Sequence, residues 1–598
     1  VTVTRLTSNL ASVTEGGPVR LRLAPSGPAI DGSATLVVNL EAAALAFDKG
    51  LALAPGETMK GRITATATGA ATATGSSWDI RMAGRDLLLP RTSGPGTLDG
   101  QVIVRTDDAT RTTTVERATF KGYGLDVVAS ATLGPRPDGS TDLRTATLSA
   151  GGDLTSARPL LGPALGLSPE VTLAGTFKSD ATVKASDPGR SVEGRTTIQR
   201  FRYRGAVDPA TGHATSFDEA AVTLEHRVVL DAEPGLVRVE RLTLVSDAVS
   251  ADVKGTVREA GGASELNLKG TLQSEASVLA ERLRRLLGPG YEDASGEGRV
   301  EGSFDLAGST ANDGRDLRVD GNLAFRRFSS GGMTLEDGRL VATRKDPGSP
   351  LRLTVVSRVN GGTLDASGNA RLGQAGIPWD AKVTMRQVDT SPLLVNKGSG
   401  RYLALVLPAI VPADATTQVL SGRLDADVEL QSASIDAGAS IDRLTGRGQV
   451  QMREGEVKQS TLFAGLAQGG KGMSQLVTLV PGVGAALNDL TRAVTFREMS
   501  STFTIGQRQV HLDPVVLVSP SVELRFSGVV AFDGRMDLKV PLRLTGKAGD
   551  AMEKFVPDRT IPLRVRAEAG KKPRVTPDLK IENVGKGLLD DLFKGRGR

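Results

Sequence analysis

The feature that most constrains this chain is alternation. In Trp379-Asp380-Ala381-Lys382-Val383-Thr384-Met385-Arg386 every second residue is apolar and its neighbours are polar. Side chains on a strand point to opposite faces in turn, so such a segment has one oily face and one wet face. Arg423 to Leu430 repeats the pattern, with Leu424, Ala426, Val428 and Leu430 set against Arg423, Asp425, Asp427 and Glu429. Val522, Leu524 and Phe526 alternate with Glu523 and Arg525, and Met536, Leu538, Val540, Leu542 and Leu544 alternate with Asp537, Lys539 and Arg543. A helix cannot keep such a face together, because its period is 3.6 residues instead of 2.

Between alternating segments stand Asp99-Gly100, Asp138-Gly139, Asp337-Gly338 and Asp533-Gly534, dipeptides suited to tight hairpin turns. Consecutive hairpins make an antiparallel meander. The segments run roughly eight to ten residues, which favours one extended sheet over a stack of small sandwiches and leaves both architectures open; about 45 strands stacked at roughly 4.8 Å would make a sheet on the order of 200 Å long. Asp153 to Pro163 is echoed by Ser277 to Pro289 and, more loosely, from Val388 to Leu394. A Gly-led strand follows each, at Gly175, Gly302 and Gly422, and the step of roughly 115 to 125 residues reads as stacked modules. Val115-Glu116-Arg117 is matched in the same way by Val239-Glu240-Arg241. Short helices punctuate the sheet, the clearest over Ser274–Leu287, where Val278, Leu279, Leu283, Leu286 and Leu287 form an apolar stripe.

Composition narrows the chemistry. With no cysteine among 598 residues, disulfides, thiolate metal sites and thiol nucleophiles are excluded, and an oxidising compartment is compatible. The 73 basic and 68 acidic residues are interleaved, and aromatic residues are only 4%, which disfavours a nucleic-acid partner. No run of about 18 apolar residues exists to span a bilayer. The longest apolar stretches, Tyr402 to Val411 and Leu476 to Leu487, are broken by Pro or Gly. The first residue is Val1, and the expectation is a chain trimmed of an N-terminal anchor.

Catalytic signatures fail one after another. His213, His226 and His511 are scattered, and none stands at ligand spacing from another. Gly465 and Gly470-Lys471-Gly472 outline a phosphate loop, but Gly472 occupies the Ser/Thr position, so a hinge is the better reading. No Gly-x-Ser-x-Gly elbow or His-Glu-x-x-His helix occurs. The expectation is a protein without enzymatic activity, metal or cofactor. Lys571, Lys572, Arg574, Lys594, Arg596 and Arg598 surround the amphipathic piece Val584 to Phe593, a solvated tail or a contact for anionic headgroups.

The stretch Leu444-Thr445-Gly446-Arg447-Gly448 through Glu454-Gly455-Glu456-Val457 and Leu462-Phe463 resembles the C-terminal region of the AsmA-like family of bacterial envelope proteins. The likeness continues through Phe496 to Ile505, Val510-His511-Leu512, Val522 to Gly528 and Phe532 to Leu538, and covers about residues 388 to 545. It implies a mainly β protein: a long, repetitive, antiparallel, curled sheet forming an open hydrophobic groove, taco-like, with a few short helices. It also implies a periplasmic location in a Gram-negative bacterium, an inner-membrane anchor, and a bridge that carries phospholipids between inner and outer membranes.

Expected modules are residues 1–151, 152–272, 273–387 with a leading helix, 388–545, and a strand with a basic tail over 546–598. The groove would be lined by Trp379, Ala381, Val383, Met385, Leu424, Ala426, Val428, Leu430, Val522, Leu524, Phe526, Met536, Leu538, Val540, Leu542 and Leu544. A charge at Val428 or Leu538 is expected to block lipid passage and leave the fold intact. Two other readings compete: a scaffold for outer-membrane protein assembly whose sheet edges pair with client strands, and a passive surface adhesin with a fully packed interior.

Overall fold

The computed structural model describes residues 5–7, 11–15, 20–24, 27–41, 59–72, 74–88, 95–136, 141–164, 167, 170–186, 189–207, 214–233, 235–260, 263–287, 292–374, 376–393, 420–434, 443–458, 493–520, 522–553, 558–569 and 574–577. Alternation is expressed as expected, and the protein is mainly β, with long antiparallel strands that do not close into a barrel. Two compact units divide it, Val1–Leu272 and Gln273–Arg598.

The first unit begins with β1 (Arg5–Thr7), β2 (Ala11–Glu15), β3 (Arg20–Ala24) and β4 (Gly27–Asn39). Six strands follow: β5 (Lys60–Ala71), β6 (Gly75–Leu88), β7 (Gly96–Asp107), β8 (Thr112–Gly122), β9 (Leu125–Pro135) and β10 (Thr141–Asp153). Helix α1 (Leu154–Ala164) then interrupts the run. Another six come next: β11 (Thr172–Ala185), β12 (Arg190–Val207), β13 (Ala214–Leu230), β14 (Leu236–Ser246), β15 (Ser250–Ala260) and β16 (Ala263–Glu275). From β4 to β15 each strand pairs antiparallel with its sequence neighbour.

The second unit opens with helix α2 (Ala276–Leu287) and a third set of six: β17 (Ser295–Ser309), β18 (Arg318–Ser330), β19 (Met333–Arg344), β20 (Leu351–Val359), β21 (Gly362–Ala370) and β22 (Trp379–Asp389). A four-residue helix, α3 (Ala311–Gly314), lies between the first two. The remaining strands are β23 (Leu420–Ser432), β24 (Thr445–Lys458), β25 (Ala493–Gly506), β26 (Gln509–Val518), β27 (Val522–Ala531), β28 (Met536–Leu544), β29 (Thr560–Ala567) and β30 (Arg574–Pro577). Helix α4 (Gly546–Glu553) separates β28 from β29. Neighbours pair antiparallel throughout, from β17 to β30.

The described residues form thirty strands, many of 11 to 18 residues, longer than the eight to ten expected. In two of these strands the cause is a misreading of Asp-Gly. Of the four such dipeptides, only Asp533-Gly534 makes a turn among the described residues; Asp99-Gly100 and Asp337-Gly338 lie inside β7 and β19, and Asp138-Gly139 lies outside those residues. Gly338 is needed for close approach, since a Cβ there would sit 1.9 Å from Cζ of Phe325 across the ladder. The tight hairpins fall instead at Tyr123-Gly124, Gly331-Gly332, Asn360-Gly361 and Gln507-Arg508, where both residues have positive φ as a two-residue turn requires.

The internal echoes have a geometric meaning. Gly175, Gly298 and Gly422 recur at a step of roughly 124 residues, each with positive φ and each at a register shift in the first strand of a strand run. The second of these is Gly298, not the expected Gly302. The Glu116-Arg117 and Glu240-Arg241 echo likewise marks a bulge, in β8 and β14. Two of the three expected helices form, as α1 and α2; at the third site β22 ends in a turn at 391–392, and residues 394–419 lie outside the described ones.

Candidate ligand-binding face

Directly opposed residues on neighbouring strands share a face, so the registers test which side chains stand together. Ala381, Val383 and Met385 of β22 oppose Leu430, Val428 and Ala426 of β23, and Leu424 opposes Met452 of β24. Val522 and Leu524 oppose Leu544 and Leu542, while Leu538 and Val540 oppose Val565 and Leu563. Phe526 opposes Val515, and Met536 opposes Val530. Trp379 opposes Ala370 and Ser432, and its indole N–H donates to the Ser434 carbonyl at 2.9 Å.

These residues are not equally accessible. Leu424, Ala426, Val522, Leu524, Phe526, Leu538, Val540, Leu542 and Leu544 belong to one buried cluster, and Val383, Met385, Val428 and Met536 pack against it. Trp379, Ala381 and Leu430 are half-buried. The four side chains from Leu538 to Leu544 have 0% exposure, so the chain's own atoms cover them. They serve as packed core, and a charge at Leu538 is a folding lesion instead of a probe of passage.

Elsewhere the apolar face is uncovered. Over β17–β22 it stays mostly half-exposed, as at Leu323, Leu340, Val355 and Ala366, and closes at rim positions such as Val359 and Leu364. In the first unit the registers place Ala67, Ile80, Val102, Ala118, Ala129, Leu148, Ala181 and Gly194 in one row from β5 to β12. The seven side-chain-bearing residues of that row are half-buried or exposed, and Leu148 is 42% exposed. Among the described residues a small core cluster forms at the rim, where Leu154 of α1 packs with Val171 and Leu173. Leu36, Leu230 and Leu353 are further exposed leucines on the apolar face. The sequence reading placed the lining entirely within 379–544 and missed this more accessible part, although the same period-2 signal is present in Ile63-Thr64-Ala65-Thr66-Ala67.

The opposite face is a lattice of exposed ion pairs and hydrogen bonds. Arg386 donates two bonds to Asp427, at 2.7 and 2.9 Å, and Thr384 and Gln449 donate to the same carboxylate. Arg564 grips Asp537 through two bonds of 2.7 Å. Arg238 does the same work for Asp231, and Arg190, the register partner of Leu230 at the end of its strand, reaches Asp142. Hydrogen bonds from these arginines hold all four carboxyls below the ordinary aspartate range. Since the folded pKa values are depressed, the stabilisation is fully present above the unfolded value and is lost as pH falls through the folded ones. The expected outcome is an acid limb below about pH 4, followed by circular dichroism, that becomes shallower in Asp427→Asn.

No group of three His, Asp or Glu side chains capable of holding a metal occurs among the described residues. His226 stands on the apolar face over Gly194, whose added Cβ would come 2.7 Å from the ring, and His511 lies on the polar face between Thr504 and Val529. His213, the Gly465–Gly472 loop, Tyr402–Val411, Leu476–Leu487, the Val584–Phe593 tail and most of its basic residues lie outside the described residues. No helix among the described residues is long and apolar enough to cross a membrane. No family model, no curated protein and no solved structure matches the chain.

Proposed function

We propose that the protein is a bridge-like lipid transfer protein of the AsmA-like kind, carrying phospholipids between the inner and outer membranes of a Gram-negative bacterium and so sustaining the outer membrane. In this reading it works in the periplasm, anchored to the inner membrane, and its partners are phospholipid acyl chains together with the two membranes or their proteins. The observation that carries the reading is the apolar sheet face left half-exposed across β5–β15 and across most of β17–β22. Monomeric soluble proteins rarely leave contiguous apolar patches beyond a few hundred Å² uncovered, so such a face calls for an apolar occupant. Acyl chains suit it, because burial of hydrocarbon is non-directional and is worth about 0.8 kcal/mol per methylene. The lining is aliphatic and small, with alanine and glycine in many rows, and offers little to fix one lipid in place.

Purified chain is expected to carry phospholipid detectable by native mass spectrometry and by thin-layer separation of an organic extract. Val383→Asp and Leu353→Asp, at half-exposed or exposed positions, should leave the circular dichroism spectrum unchanged. Each should lower retained phospholipid by about tenfold, the equivalent of ~1.4 kcal/mol. A lipid-free preparation of the parent chain would remove the basis of the proposal.

A further inference from the structure

Within the second unit the apolar face begins open and ends filled. Leu353 in β20 is 38% exposed, and Val383 and Met385 in β22 are half-buried. From β24 onward the same face is occupied by protein. Phe503 of β25 lies over Gly448 of β24, where an added Cβ would fall 2.4 Å from its Cζ, and Phe496 lies over Gly455 at a corresponding 2.2 Å. Two rings therefore fill space that a bare strand would leave vacant. Met452, Met499, Leu517, Leu524 and Leu542 complete a layer in which no side chain exceeds 4% exposure.

We infer that the lipid-accessible face of the second unit stops at β23, and that β24–β29 form a self-filled segment whose own side chains take the place that acyl chains take elsewhere. Cargo in this unit then leaves sideways, from β22 and β23, and does not pass along β24–β29. The inference rests on the proposed lipid binding and sets its limit. The physical ground is a competition between equals. Replacing the segment's own hydrocarbon by lipid hydrocarbon gains no net burial, while the covalently attached side chains are present at high effective concentration and are already close-packed.

The test uses the full chain with p-benzoylphenylalanine introduced singly at Val183, Leu353, Val383, Ile505, Met536 or Val356, incubated with vesicles of phosphatidylethanolamine and phosphatidylglycerol that carry a radiolabelled tracer. Ile505 and Met536 are chosen because both lie half-buried at the edge of the filled segment, so a larger group is accommodated. Val356 points from the polar side and gives the background. Folding of every variant is checked by circular dichroism. The expected result is lipid labelling at Val183, Leu353 and Val383, with labelling at Ile505 and Met536 lower by about tenfold or more and equal to that at Val356. Equal labelling at Ile505, Met536 and Val383 overturns the inference and leaves the proposed function standing. Labelling at none of the six overturns the proposed function, and the inference falls with it.

Discussion

Leu538→Asp is expected to unfold the C-terminal part of the sheet. Leu538 has 0% exposure and stands between Gly528 on one neighbouring strand and Val565 on the other. A carboxylate there loses its hydration without gaining a partner, and protonation to avoid the charge still leaves an unsatisfied polar group in hydrocarbon. The loss should exceed about 4 kcal/mol, against about 3 kcal/mol for Leu538→Ala, where only packing is removed. Urea unfolding followed by circular dichroism should show the C-terminal transition moved to much lower denaturant or absent, with the rest of the sheet retained. Val383→Asp, on the same face but half-buried, should scarcely move that transition. If the two aspartates behaved alike, the division into open and filled parts would be wrong.

Arg344→Met should produce the second large effect, by a different route. Arg344 is 2% exposed and sits on the apolar side at the end of β19. Its Nε donates to the Ser349 carbonyl at 2.7 Å, Nη1 to those of Gly314 and Leu317 at 2.7 and 3.0 Å, and Nη2 to that of Arg315 at 2.6 Å. One guanidinium thus ties the end of α3 and the turn after β19 to the sheet. Methionine fills similar volume but donates nothing, and the cost is about 3 kcal/mol of local stability. Arg344→Lys should recover little, because an ammonium cannot reproduce the planar fork. Amide hydrogen exchange of residues 311–318 and 345–350 should accelerate in both variants. Unchanged exchange there would show that the clamp carries no weight.

Alternation was enough to identify the strands, and it put the right side chains on the same face. Trp379 to Arg386 and Met536 to Leu544 are strands with the phase their apolar residues imply. What alternation could not reveal is which stretches of that face are covered. The two segments have the same pattern, yet Leu538 is sealed and Ala381 is not. Period-2 spacing records only which side of a strand is apolar, whereas coverage depends on residues far away in sequence. Asp337-Gly338 misled for a related reason. A glycine selected to make room for Phe325 has the same signature as one selected for a turn. Arg344 did leave a trace: it follows Leu340 and Ala342 in the apolar phase, where an arginine needs a buried set of acceptors.

Six strands separate α1 from α2, and six more run from β17 to the end of β22. Six is even, so a block finishes at the margin of its own sheet from which it set out, with the polypeptide heading the same way. Inserting or excising a whole block would therefore keep the handedness of every later hairpin and the inward or outward sense of every later side chain, whereas an odd number of strands would reverse the direction of travel. At roughly 4.8 Å per strand, each block contributes about 29 Å, so extent can be set by copy number alone.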